Sequence, residues 1–267
     1  MGLTVCPTPI GNLEDVTLRV LSALREADVV ACEDTRRTRT LLDRYGVNAK
    51  LVSYHEHNEE QRSSELVERM RSGAQVALVS DAGMPLVSDP GYVLVRACVA
   101  AGLEVEVLPG PSAALAALVA SALPADRWRF AGFLPRKAGE LRRVLAEDGG
   151  TLIAFESPKR VPATLVVAAE LDPERAVAVC RELTKVHEEV VRGTAAELAA
   201  RYVDAPPRGE VVLVFGPPSP ASADAPPEGV EQARRLVEAG AKRRVAAQVV
   251  AELTGGSANR LYEAIGE

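Results

Sequence analysis

Two α/β domains followed by a small helical extension are the fold class that this 267-residue chain predicts. Three observations predict it. Short runs rich in Val and Leu alternate with helical patterns through the first hundred residues. A second series of such runs follows, and its last three members lie closer together than strand-helix-strand units allow. A Pro-rich stretch then sets off a basic, helical tail. With 47% hydrophobic residues, a chain of this length can bury a real core. The expected division is 1–111, a domain built on a mainly parallel sheet; 112–216, a domain with a mixed sheet; 217–229, a linker; and 230–267, a small helical domain.

In chain order, the first domain offers LTVCP (3–7), DVVACE (28–33), KLVSY (50–54), QVALVS (75–80) and LEVEVLP (103–109) as strands, each bounded by turn residues. Helices fill the gaps. Val20, Leu21, Leu24 and Ala27 recur at helical spacing; Asn58 with Gln61 reads as a capping box ahead of Leu66, Val67 and Met70; Gly46, Gly73 and Gly102 supply stops. Strands separated by helices imply a sheet covered on both faces. The second domain opens on a helix of small apolar residues, SAALAALVASAL. Its strands are RFAGF (129–133), TLIAFE (151–156), AVAVCREL (176–183), EEVVRG (188–193) and GEVVLVFG (209–216), in a partly antiparallel sheet. The linker, within GPPSPASADAPPEG, has five Pro in fourteen residues. The tail carries Arg234, Arg235, Lys242, Arg243, Arg244 and Arg260 on three helical patterns.

Several functions are excluded early. No run reaches the ~18 apolar residues of a spanning helix, and the first residues lack the basic start of a secretion signal, so a cytoplasmic protein without a membrane segment is expected. Cys6, Cys32, Cys98 and Cys180 are far apart and read as buried small hydrophobes under reducing conditions. A net charge of -6 argues against nonspecific coating of nucleic acid, though it leaves a local basic patch open. Neither GxGxxG nor GxxxxGK[ST] is present. His55-Glu56-His57 brings two imidazoles together at strand spacing with no third ligand nearby, so no metal is expected, and His187 reads as structural.

What remains is a set of strand-end loops: TPIGN (8–12), EDTRRT (33–38), SDAGMPLVSDPG (80–91), PGPSA (109–113), FESPKR (155–160) and RELTK (181–185). Ligands of open α/β sheets bind beyond the carboxyl ends of the strands, and Gly and Pro let backbone approach a ligand closely. Within the longest loop, Pro90 reads as the first residue of a helix capped by Asp89, whereas Asp81 has no helix to cap. EDTRRT has two readings. Thr35 can cap a helix whose Arg36, Arg37 and Arg39 form a solvated face, or Glu33 and Asp34 with the arginines can serve a phosphate-bearing substrate, carboxylate as base and guanidinium as anchor.

The stretches from PTPIGN to EDTRRTRTLL, then YHEHNE, LVSDAGMPLVSDPG, PGPSA, GFLPRK and ESPKR, resemble the tetrapyrrole methylase superfamily of S-adenosylmethionine enzymes. PGPSA is superfamily-wide. EDTRRT, YHEHNE and GFLPRK resemble the branch that methylates the 2'-hydroxyl of a cytidine in 16S rRNA of the small ribosomal subunit. That resemblance implies α/β domains of tetrapyrrole-methylase type, S-adenosylmethionine in the cleft between them, and a homodimer. It implies cofactor contacts from Pro9, Ser80, Asp81, Ala82, Gly83, Pro85, Ser112, Ala113, Phe155, Leu183 and Glu210. For catalysis it directs attention to Asp34 as base, with Glu33 second and Arg36 beside them. RNA contacts would come from Arg36, Arg37, Arg136, Lys137, Arg160 and Lys185, with Glu156 a further polar candidate and the basic tail assisting. The alternatives are a C-methyltransferase of tetrapyrrole precursors, whose polycarboxylate substrates also suit arginine, and a catalytically silent ribosome-binding module.

Overall fold

The computed structural model describes residues 2–147, 150–218, 227–254 and 258–266. They form two compact units. One comprises Met1–Ala116 with Glu182–Glu188, the other Ala117–Arg181 with Glu189–Glu267.

In the first unit β1 (Gly2–Cys6), β2 (Val29–Cys32), β3 (Leu51–Ser53), β4 (Val76–Val79) and β5 (Glu104–Val107) make a sheet of order β3-β2-β4-β1-β5. Every pairing is parallel. Alternation of side chains along each strand divides the core into two layers. Leu3, Val5, Val29, Ala31, Val76 and Leu78 face α3 (Glu59–Arg71) and α4 (Tyr92–Ala100), where Leu66, Met70, Leu94 and Cys98 meet them. Cys6, Val30, Cys32, Ala77 and Val79 face the other way, against Val20, Leu21 and Leu24 of α1 (Leu18–Glu26) and Leu42 of α2 (Thr35–Arg44). Burying each Leu or Val side chain in these layers stabilises by ~1.5–3 kcal/mol. The two-faced cover explains why the strands read as continuous apolar runs. All four cysteines are buried.

The capping box expected at Asn58 does not form. Asn58 precedes α3 but its side chain makes no cap bond; Oδ1 accepts from the His55 amide at 2.9 Å and Nδ2 donates to the Ser53 carbonyl at 3.2 Å. Gln61 turns instead to Glu65. The polar side chain is drawn backward into the turn after β3, where unpaired backbone groups compete for it.

In the second unit β6 (Trp128–Phe133), β7 (Thr151–Glu156), β8 (Ala176–Arg181), β9 (Glu189–Thr194) and β10 (Val211–Phe215) make a sheet of order β6-β7-β10-β8-β9. β6 and β7 are parallel and the remaining pairs antiparallel, the mixed sheet expected from the crowded strands. One face packs against α6 (Ala138–Ala146), α7 (Val161–Leu171) and α8 (Ala195–Tyr202) through Leu145, Leu165, Leu198 and Phe215. Alpha-helix α5 (Ala113–Ser121) spans the boundary of the two units. The tail forms α9 (Pro227–Glu238), α10 (Arg243–Thr254) and α11 (Ala258–Ala264) around Ala233, Ala247, Val250 and Leu261. Most of the expected linker 217–229 and the Arg260 side chain lie outside the described residues. No helix among the described residues is long and apolar enough to cross a membrane.

Candidate active site

Strand order places a crevice in the first unit. The chain leaves β2 toward β3 and leaves β4 toward β5, in opposite directions, so the loops diverge beyond the carboxyl ends of β2 and β4. Glu33 and Asp34 arrive from β2, and the loop 80–91 arrives from β4. Two bonds join them. The Asp34 amide donates to Asp81 Oδ1 at 3.0 Å, and Arg37 Nη1 lies 3.5 Å from Asp81 Oδ2. Asp81 thus ties the two strand ends together.

Asp34, and not Thr35, caps α2. Its backbone is extended and Oδ1 accepts from the Arg36 amide at 2.8 Å. The Arg36 fork closes on the same carboxylate, Nε to Oδ1 at 3.2 Å and Nη2 to Oδ2 at 2.8 Å. Arg36 therefore holds the Asp34 carboxyl down at about 2. A carboxylate so stabilised is a weak proton acceptor. Glu33 differs: burial first, then the charges of Asp81 and Glu56, push its carboxyl above the ordinary range.

The loop 80–91 is braced from within. Thr8 and Gly83 exchange both backbone bonds, at 2.8 and 2.9 Å. Thr8 Oγ1 donates to the Ser80 carbonyl at 3.0 Å, and Ser80 Oγ to the Gly83 carbonyl at 3.2 Å. Gly83's backbone groups are thereby occupied, and Ser80 is buried. Leu86 (φ 71°) and Ser88 (φ 66°) adopt left-handed backbone between Gly83 (82°) and Gly91 (139°). Non-glycine residues persist there only where surrounding contacts over-determine them, as at ligand clamps.

The expectation that Asp89 caps a helix opened by Pro90 is corrected. Gly91 is the cap residue and α4 starts at Tyr92. With four left-handed residues in the loop, the chain folds back and brings the Asp89 carboxyl near Ser80 and Glu33. Burial, then the neighbouring charge of Glu33 and that of Asp81, raise it to about 6. Glu33, Asp81 and Asp89 thus form one carboxylate cluster. The repeated Ser-Asp pair was the sequence signal for Asp89, masked by a plausible cap reading.

Further loops gather in the same unit. Pro9 and Pro85 are buried, and Ala82 is half-buried. A Cβ on Gly83 would stand 3.4 Å from Ile10 and 3.7 Å from the Pro111 carbonyl, so TPIGN, the 80–91 loop and PGPSA abut. The Ser112 carbonyl and hydroxyl accept from Ala116 and Leu115 at the start of α5, which Ala113 opens. Gly11 lies against 183–185, where a Cβ would come within 2.5 Å of Lys185 Cγ and 2.9 Å of the Leu183 carbonyl. Leu183 is buried, and Lys185 Nζ pairs with Glu182 at 2.9 Å. Glu182 and Thr184 also have positive φ, 52° and 66°.

In the second unit, Phe155 meets Phe130 and Phe133 edge to face at 4.9 and 5.5 Å. Glu156 is fully buried and satisfied by Thr164 Oγ1 at 2.8 Å, the Ser157 amide at 2.7 Å and Arg160 at 3.3 Å. Arg160 also donates to the carbonyls of Leu134 and Pro135, at 3.0 and 2.6 Å. It acts as a brace for the loop that presents Arg136 and Lys137, which are exposed; Lys137 lies 3.3 Å from Glu140. Glu210 sits exposed just before β10. His55 and His57 meet at 5.9 Å, and no group of three metal-ligating side chains occurs among the described residues.

The family described as Tetrapyrrole (Corrin/Porphyrin) Methylases matches residues 2–199. The chain belongs to that family. This methylase is 47% identical, over 98% of its length and 90% of the relative's, to a protein from Mesorhizobium japonicum named Ribosomal RNA small subunit methyltransferase I. A protein of the same name from Escherichia coli O157:H7 is 41% identical over 98% of the methylase and 93% of the relative. Among solved structures, the methylase resembles uroporphyrin-III C-methyltransferase of Thermus thermophilus complexed with S-adenosyl homocysteine. The TM-score is 0.58 at 21% identity, covering 81% of the methylase and 97% of that chain. That likeness is one of fold.

Proposed function

We propose that this methylase transfers a methyl group from S-adenosylmethionine to the 2'-hydroxyl of a cytidine in 16S rRNA of the small ribosomal subunit. The observation that carries the reading is the end-to-end match to relatives named for small-subunit RNA methylation. The site chemistry supports it. S-adenosylmethionine combines an ammonium and a sulfonium with ribose hydroxyls, and carboxylates on braced backbone, Asp81 and Asp89, suit those groups beside the apolar Pro9, Ala82 and Leu183. When bound, it supplies an electrophilic methyl carbon. The chain's own task is to orient a ribose oxygen toward that carbon and take its proton. Glu33 is the base favoured by its surroundings: burial and the charges of Asp81 and Glu56 give it a higher proton affinity than an ordinary carboxylate, whereas Asp34 positions Arg36 and the start of α2. Arg37 and the exposed Arg136 and Lys137 attract RNA phosphates.

We propose a cytoplasmic homodimer. Tyr92 and Val99 are exposed seven residues apart on one face of α4, as an association surface requires. The test is incubation with labelled S-adenosylmethionine and either unmethylated small subunits or a tetrapyrrole precursor, followed by mapping of the label. Label on a ribose 2'-oxygen is expected; label on a tetrapyrrole carbon overturns the reading.

A further inference from the structure

The register of the second sheet aligns one end of all five strands. Val211 at the start of β10 stands opposite both Glu156, at the end of β7, and Arg181, at the end of β8; Arg181 in turn stands opposite Glu189, the start of β9. The loop with Arg136 and Lys137 leaves β6 at this same end, because β6 and β7 are parallel. Four inter-strand spacings of ~4.8 Å separate that loop from the β9 edge, about 19 Å.

At the β8–β9 edge lies a cavity of about 250 Å³ lined by Arg181, Glu189, Arg201, Tyr202 and the loop to Arg208. Glu189 holds two arginines at once: Arg181 Nε donates to Oε2 at 2.7 Å and Arg201 Nη2 to Oε1 at 3.4 Å. Each bond uses part of a guanidinium fork and fixes its direction. Arg208 is exposed and has no carboxylate partner among the described residues. Three guanidinium groups thus face one carboxylate. Tyr202 is 5% exposed, its Oη donates to no acceptor, and Arg201 lies over its ring at 5.8 Å. Burial first, then the Glu189 charge, raise the phenol, so it remains a donor at neutral pH. A cavity with surplus arginine charge and a buried O–H still seeking an acceptor has the chemistry of a phosphate subsite.

We infer that Arg181, Arg201 and Arg208 take a backbone phosphate of the RNA substrate, and that the RNA runs across this end of the second sheet between them and Arg136–Lys137. The inference rests on the RNA reading above and gives it a second anchor. A guanidinium fork binds one phosphate without reading sequence, so this subsite positions the strand.

The experiment uses the full chain and measures binding separately from methyl transfer. Affinity for a fluorescent, unstructured RNA oligonucleotide is followed across a salt series for the native chain, the double variant Arg201→Ala/Arg208→Ala and the charge-preserving Arg201→Lys/Arg208→Lys, with thermal unfolding as the check on folding. The alanine pair is expected to weaken binding by roughly tenfold, the worth of about one charge-assisted hydrogen bond. Its salt slope should become shallower by about 0.7, the signature of one fewer phosphate neutralised on a single strand. The lysine pair should recover the slope but not the whole affinity. For small subunits the loss should fall on KM, with affinity for S-adenosylmethionine retained. Unchanged RNA affinity and slope in the alanine pair overturns the inference. So does a phosphate-dependent rise in melting temperature that the alanine pair loses while its RNA binding is intact, since the subsite would then serve a free anion. Because binding is read without chemistry, a chain that binds RNA here yet methylates no small subunit contradicts only the proposed reaction.

Discussion

Two adjacent carboxylates, Glu33 and Asp34, have been given opposite properties by their neighbours. Asp34 accepts three bonds from Arg36 and titrates at about 2; Glu33 is pushed upward by burial and by Asp81. Replacing Glu33 with Gln should therefore lower the methyl-transfer rate by about 10²–10⁴-fold, the usual worth of a positioned general base, with little change in cofactor affinity. Asp34→Asn should instead lower melting temperature through the weakened α2 cap and leave a much larger share of the rate. Single-turnover kinetics with calorimetric binding of the cofactor checks both, and the reverse ranking would return the base role to Asp34. Asp89 yields a pH prediction. Its folded carboxyl titrates at about 6 against about 3.9 unfolded, so the folded state holds the proton more tightly, and stability falls as pH rises through that window. Asp89→Asn should raise stability at pH 7.5 by on the order of 1 kcal/mol, solvent screening reducing the full effect, and the gain should vanish toward pH 4. Denaturant melts at the two pH values measure it. A carboxylate destabilised in this way also favours whatever cation relieves it.

Among the elements, the loop between β4 and α4 carries the most conformational cost. Gly91 lies at φ 139°, where an added Cβ would stand 2.6 Å from Leu86 Cδ1 and 2.9 Å from Leu78 Cδ2. Leu side chains can shift, but the backbone conformation cannot be relieved so simply. Gly91→Ala should destabilise by about 1–3 kcal/mol and displace Asp89, reducing cofactor affinity along with melting temperature; retention of both would show that the loop is not held by this turn. The strands were legible at this scale because a sheet buried on both faces needs unbroken Val and Leu runs, and VVAC and VALV cannot be mistaken. Helix starts were less so. Asn58, Thr35 and Asp89 all have side chains that can cap, but where a short polar side chain bonds depends on the path of the chain beyond it. That path is set by Gly91 and the Thr8–Gly83 pairing in one case and by Asp81 in another. Asp89's membership in the carboxylate cluster was hidden for the same reason. Nor does sequence order reveal that 182–188 joins the first unit, because its ties to Gly11 and Asn12 span more than 170 positions.

For the molecule as a whole, charge is the property that selects a partner. The chain carries -6 overall, so bare RNA at a distance meets a repulsive field, while in the proposed function Arg37, Arg136, Lys137 and the tail arginines would supply local attraction. Binding that relies on a few placed cations within a negative protein should depend on a surface that presents several phosphates in fixed geometry at once. An assembled small subunit does this, and a flexible strand pays ordering entropy to do so. Affinity for intact small subunits should therefore exceed that for deproteinised 16S rRNA, with the difference persisting as salt rises because it comes from preorganisation. The salt dependence itself, set by the number of phosphates neutralised, should be modest for bare RNA. Titrations of both substrates from about 50 to 200 mM salt decide the matter: equally tight binding with equally steep slopes would mean that the basic groups act as a nonspecific patch, and that discrimination arises after binding.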